Sequence, residues 1–274
     1  MSIISHWRGA SNLVDYPRVA RIGAWYVAEY RIRNMAKWYG SILAFGLGSP
    51  ILYLTSVGLG IGALITQQID GVPYLTFLAP SLLASAAIQS TMDETMFPTM
   101  DGFVWGKIFH GIGNTALTGK QLANGVMIAA MLRTVFTVLT YYIVLLAFGA
   151  VEFANSWPSI FAALFSGWSF GALMHGMASY VKQDDGFFAI FGRFVVTPMF
   201  LFSGTYYPLD SLPIYLQWIG WISPVWHATD LGRYLSYGHE SSIQVVLFHL
   251  VYLLVLGLFG TWLAERKYTL RLAE

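Results

Sequence analysis

The residues with the clearest chemical potential are Gly167-Trp168-Ser169-Phe170-Gly171 and His249. A G-x-S-x-G pattern exposes a serine nucleophile at a sharp turn in α/β-hydrolases. A histidine within reach of that hydroxyl would act as its general base. Here, however, both residues fall inside apolar runs that predict helices. In that setting Gly167 and Gly171 also form a G-x-x-x-G pair, whose small residues let membrane helices approach closely. His249 is flanked by the bulky Phe248, Leu250 and Val251. Helix packing is the favoured reading, and an intramembrane serine hydrolase using Ser169 and His249 is the alternative.

Other chemistry is quickly bounded. Lys120 lies in GNTALTGKQ, but Asn114 stands where a phosphate-binding loop needs its first glycine and Gln121 where it needs Ser or Thr. No nucleotide-binding motif is found in the sequence. His239-Glu240 opens HESSI, which lacks the second histidine of a zinc helix. There is no cysteine, which excludes disulfides and thiolate metal sites. His175 is expected to hydrogen-bond within a helix bundle. Arg133, a charge inside an apolar run, is expected to snorkel or to pair with Asp93 or Glu94.

The elements that position these residues follow from composition. Of 274 residues, 56% are hydrophobic and 11% charged, with a mean hydropathy of +0.58. Soluble domains carry roughly 25% charged residues, so this chain has too little charge to coat a water-facing surface. It reads as an all-α polytopic membrane protein with six spans, near 38–64, 72–92, 126–148, 157–181, 187–203 and 243–263. Residues 1–37 precede the first span and show no cleavable signal pattern. Between Pro17 and Tyr30, Val19, Ile22, Tyr26, Val27 and Tyr30 share one helical face, with Arg18, Arg21 and Glu29 to its side, which predicts an amphipathic helix on the cytoplasmic membrane surface. The membrane-spanning core is 38–265 and the tail 266–274.

Orientation follows from the positive-inside rule. With both termini cytoplasmic, fourteen of the fifteen basic residues lie on or reach the inner side, Arg8, Lys107, Lys120 and Lys182 among them; only Arg233 falls outside. Asp184 and Asp185 then mark the inner end of the fourth span.

Between the last two spans lies a stretch too apolar and aromatic for an ordinary loop, 204–238, rich in Tyr, Trp and Pro. It predicts a re-entrant helical hairpin at the outer surface, with Asp210 capping a short helix over 211–217. Its Phe202-Ser203-Gly204, Tyr206-Tyr207-Pro208, Leu212-Pro213 and Pro224-Val225-x-His227 resemble the signature of type-2 ABC transporter permeases, closest to the lipo-oligosaccharide (nodulation-factor) and daunorubicin/doxorubicin exporter subgroup. The loop TALTGKQLANG, Thr115 to Gly125, is similar to a second element of that family, with Ala116 where the family favours proline. Asp93-Glu94 is the third.

That resemblance implies a permease subunit without catalytic residues, resident in a bacterial inner membrane. ATP and Mg would be bound by two copies of a separate ATPase subunit, a second permease chain would complete a dimer, and the further partners would be membrane lipid and an amphipathic cargo, with no nucleic acid. It implies a coupling helix within 99–114, where Phe103, Trp105, Ile108 and Phe109 would insert into the ATPase and Asp101 and Lys107 would fix the pose. It also implies an exit gate built from Tyr206, Tyr207, Tyr215, Trp218, Trp221, Trp226 and an Asp230–Arg233 pair, with Asp93, Glu94 and Arg133 as interior or pathway charges.

Overall fold

A computed structural model describes residues 15–65, 67–183 and 186–274. Arg8, Asp184 and Asp185 lie outside the described residues. The chain is helical throughout, with an isolated bridge between Ile69 and Val72 as the one extended pairing among the described residues. In order, α1 is Tyr16–Ala36, α2 Tyr39–Tyr53, α3 Tyr74–Met100, α4 Ile108–Gly113, α5 Gly119–Ala147 and α6 Phe153–Ser156. Then come α7 Ser159–Tyr180, α8 Phe187–Phe191, α9 Thr197–Leu201, α10 Ile214–Ile222, α11 Pro224–Tyr237 and α12 Ile243–Ala273. A π-helical segment, Leu54–Ile61, extends α2.

Among the described residues, five helices are long and apolar enough to cross a membrane: Tyr39–Gly58, Tyr74–Trp105, Gly119–Ala147, Ser159–Tyr180 and Ile243–Ala273. The expected fifth span appears as a shorter apolar helix, Phe187–Leu201, with a π-turn at its centre. The exposed large apolar residues of α12, from Leu247 to Trp262, form the kind of broad belt that water does not tolerate and lipid does.

Several boundaries move for identifiable reasons. The span expected to end at Met92 continues through Asp93 and Glu94, because Glu94 is neutralised by arginines from α1 and α5. The loop at 115–125 is largely helix. Thr118 accepts from the Gln121 backbone while the Gln121 side chain accepts from the Thr118 backbone, a capping box that starts α5 seven residues before the expected span. The Gln121 amide also donates to the carbonyl of Val19 at 2.8 Å, pinning α1 to α5. On α1 the buried face is Gly23, Val27 and Ala28, while Ile22 and Tyr30 of the expected stripe remain exposed.

α7 is the central helix. It packs most extensively against α3 on one side and α12 on the other. Small residues permit this. A Cβ on Gly171 would fall 2.2 Å from Thr91 Cγ2, and one on Gly260 would fall 2.3 Å from the backbone of Ala172 and Leu173. Hydroxyls bond across the seams. The Thr91 and Thr134 hydroxyls meet at 2.8 Å, and Thr95 donates to the Gly171 carbonyl at 3.2 Å. Such contacts satisfy polar groups that have no water to turn to.

Candidate functional site

Three constellations occupy the bundle. The first, at its Tyr268 end, joins α3, α4, α7 and α12. The Tyr268 hydroxyl meets His175 Nε2 and Thr99 Oγ1, each at 2.8 Å. Around it pack Phe103 and Phe109, with ring centroids 4.8 and 5.5 Å from that of Tyr268. Arg271 lies over the Phe103 ring and donates to the carbonyls of Ser179 and Val181. This corrects part of the expected coupling surface: Phe103 and Phe109 are 3% exposed and serve as core, so they cannot insert into a partner from this position. The π-turn Asp101–Trp105 and Gly102, which leaves room for the Phe109 ring, turn these two rings inward. Trp105 and Ile108 are 48% and 39% exposed, and Lys107 beside them is exposed. Lys107 has a left-handed backbone that separates the π-turn from α4, so its side chain does not extend the preceding helical face.

The second constellation is an ion cluster. Glu94 accepts from Arg133 of α5 and from Arg31 of α1, the latter at 3.4 Å. Asp93 instead accepts from Gln89 at 2.9 Å. Of the two acids expected near Arg133, Glu94 is the direct partner, and Arg31 is an added member that sequence proximity could not reveal.

The third surrounds the helical hairpin of α10 and α11. Gly204, at φ +68°, turns the chain where a side chain would be strained. The Ser203 hydroxyl bonds that of Ser223 at 2.6 Å, closing the hairpin on itself. Arg233, 4% exposed, donates to the Gly204 carbonyl at 2.8 Å and to Ser81 Oγ at 3.2 Å, and stacks 3.7 Å above the Phe77 ring. Burial lowers its guanidinium from the ordinary value, against the opposing influence of Tyr237, Asp70 and Asp230.

The expected Asp230–Arg233 ion pair is not formed. Arg233 turns toward α3, while Asp230 faces α12 and meets His249 Nε2 at 3.0 Å and His239 Nε2 at 3.7 Å. Burial alone would raise the Asp230 carboxyl; the hydrogen bond and charge of His249, with His239 and Arg233, outweigh it and hold the group below its usual range. Asp210 does not cap a helix either. It sits in a 3₁₀ turn, Leu209–Ser211, and α10 starts after Pro213 without a side-chain cap.

The aromatics divide. Tyr215, Trp218 and Trp221 are exposed at 70%, 54% and 47%, whereas Trp226 packs between His227 and His249. Tyr207 donates to the Leu201 carbonyl at 2.7 Å. The Tyr206 hydroxyl meets that of Tyr53 at 3.0 Å, and Tyr74 donates to the Tyr206 carbonyl. Tyr53, Tyr74 and Tyr206 border an open groove of about 690 Å³, lined by Leu52, Thr55, Ser56, Val57 and Ile61 in addition, with no charged residue.

The serine hydrolase reading fails on geometry. Ser169 is fully buried and spends its proton on the Leu253 carbonyl at 2.7 Å. His249 is engaged with His227 and Asp230 instead. A hydroxyl without a base and without solvent access cannot act as a nucleophile. Among the described residues no group of three or more His, Cys, Asp or Glu is arranged to hold a metal. The bundle hydrogen bond expected of His175 is formed with Tyr268, a partner the sequence does not identify, and the His227–His249 contact has no counterpart in the sequence reading. Their signal was a polar aromatic or histidine in an apolar run, which says that a partner is needed but not which.

The family model for the ABC-2 type transporter matches residues 24–237. A nodulation protein J of Rhizobium leguminosarum bv. viciae is 27% identical over 249 residues, covering 88% of this chain and 94% of that protein. One from Sinorhizobium fredii is 28% identical over 226 residues, covering 80% and 84%. A probable multidrug ABC transporter permease, YbhR of Escherichia coli, is 33% identical over 78 residues, 28% of this chain and 20% of that protein. No solved structure matches the chain.

Proposed function

This chain belongs to the ABC-2 type transporter family, and we propose that it is the permease subunit of an ATP-driven exporter that moves a bulky amphipathic molecule, a lipid-linked saccharide or a hydrophobic drug-like compound, out of the cytoplasm or inner leaflet. Both termini are cytoplasmic in this reading, Phe187–Leu201 completes six crossings, α1 lies on the inner membrane surface, and α10 and α11 re-enter from the outer side. Two such permeases work with two ATPase subunits that bind ATP and Mg.

The observation that carries the reading is the groove beside Tyr53, Tyr74 and Tyr206. It combines aliphatic walls with phenol and hydroxyl groups and has no charge, which suits a neutral amphipathic surface. Tyrosine presents an apolar ring and a polar tip, so it contacts both halves of such a cargo. The likeness to nodulation proteins J and, over a shorter stretch, to a probable multidrug permease supports the same class.

The test is cargo-stimulated ATP hydrolysis and transport by the reconstituted complex. Tyr206→Ala removes both the phenol that meets Tyr53 and one wall of the groove. It is expected to raise the cargo concentration needed for half-maximal stimulation by about tenfold, the equivalent of ~1.4 kcal/mol. Unchanged stimulation would remove the groove from the pathway.

Coupling is assigned to the exposed surface of Trp105, Ile108 and Lys107, with Asp101 behind it. Trp105→Ala is expected to leave the permease folded and basal ATP hydrolysis present while transport falls at least tenfold. Full transport by that variant would place the coupling contact elsewhere.

A further inference from the structure

The contact between the hairpin and α12 contains more hydrogen-bonding nitrogen than its protons can ordinarily serve. His227 Nε2 lies 3.0 Å from the backbone carbonyl of Trp221, so it must carry a hydrogen. His249 Nε2 lies 3.0 Å from Asp230 Oδ2, which also requires a hydrogen between them. The two Nδ1 atoms face each other at 2.7 Å, and a third hydrogen must lie there. Two neutral imidazoles and a carboxylate supply only two. The arrangement therefore holds one proton more than its neutral count, and both rings are 0% exposed.

Ionisable groups continue from the buried pair toward the surface. Asp230 also meets His239, which is partly exposed and lies 3.3 Å from Asp70 in the turn before α3. Asp70, His239 and Asp230 thus place a chain of ionisable groups between the surface and the buried His249–His227 pair, the His239–Asp230 step being an ionic contact longer than a hydrogen bond. Arg233 and Tyr237 are the other titratable neighbours on α11, and Tyr252 stacks on His227 from α12. α7 brings none to this level: its titratable residues, His175 and Tyr180, lie with Tyr268 and Lys267 at the far end of α12.

We propose that His227, His249 and Asp230 form a proton-binding latch that ties the hairpin to α12, and that the hairpin releases this one proton when it opens. A neutral His249 has a single N–H and must abandon either His227 or Asp230. Opening that releases this proton is therefore favoured as pH rises, by at most tenfold per pH unit, the slope for one proton. The latch also has an acid limit. Burial and the neighbouring His249 lower His227 to about 4. A histidine held neutral contributes stability that is complete above its ordinary value of 6.5 and is lost as pH falls through about 4. A second proton there would set N–H against N–H.

The inference needs only the hairpin's geometry, so it stands or falls separately from the export reading. The chain has no cysteine, so a single cysteine at the exposed Ser211 can carry a nitroxide label on the full-length permease in lipid nanodiscs. Its mobile fraction is expected to rise in a step no steeper than one proton as pH is raised. In His249→Gln, which bonds but does not titrate, the step should vanish. Trp226, 4.9 Å from both rings, gives a second readout on the unaltered site. Imidazolium quenches indole, so the fluorescence difference from Trp226→Phe should grow across the same step. A step that persists in His249→Gln, or no step in either readout, overturns the latch.

Discussion

Gly260→Ala is expected to destabilise the permease by about 3 kcal/mol or more, at the upper end of overpacking costs. The added methyl would sit 2.3 Å from Ala172 C and from Leu173 N. Both are backbone atoms of the central helix, so no rotamer change relieves the clash. The helices must separate, and separation loosens two bonds between α7 and α12: Ser169 to Leu253 and His175 to Tyr268. The latter also anchors Phe103 and Phe109, so the loss should reach the proposed coupling surface. Thermal unfolding in detergent micelles, read by tryptophan fluorescence, measures this. Gly48→Ala is the control, since a Cβ there meets nothing within 4 Å. Equal melting temperatures for the two variants would mean that the α7–α12 contact is looser than described.

The second large effect is at Glu94. Removing its carboxylate leaves Arg31 and Arg133 facing each other without an acceptor, in a region where their side chains are only 16% and 28% exposed. Breaking a buried ion pair from one side costs about 3–5 kcal/mol, and partial exposure places Glu94→Ala toward the lower figure. Arg133→Ala should cost less, because Glu94 keeps Arg31. The ordering is the diagnostic point. If Arg133→Ala proved the more damaging, Glu94 would not be the shared acceptor. Glu94→Ala should also loosen α1, since Arg31 is, among the described residues, the ionic contact of that helix with the bundle, while Gln121 and the small-residue packing at Gly125 remain. Proteolysis at Arg31 and Arg33 then becomes a convenient second measure.

The family signature around Phe202 to His227 owes its residues to separate tasks. Ser203 closes the hairpin on Ser223, Gly204 makes the positive-φ turn, and Tyr206 borders the groove. His227 reaches α12. A sequence pattern shows such residues side by side without saying that they serve four different contacts. The Thr118-x-x-Gln121 element behaves similarly: inside a segment that departs from the phosphate-loop pattern, it is a helix start whose glutamine also holds α1.

What the sequence determined by itself was the local and the bulk. Length and apolarity of the runs dictate membrane-crossing helices, because a backbone in hydrocarbon must satisfy its own hydrogen bonds. The glycines at 167 and 171 already favoured close packing over catalysis. Tertiary structure decided the partners. Ser169 faces Leu253 and not His249, Phe103 and Phe109 turn inward, Arg133 meets Glu94 together with Arg31, and Asp230 chooses His249 over Arg233. The reason is physical. A buried polar group must find a partner, but helical periodicity fixes only the face it lies on. Which helix arrives at that face, and at what depth, depends on small residues tens of positions away, and so becomes visible only once the helices are packed.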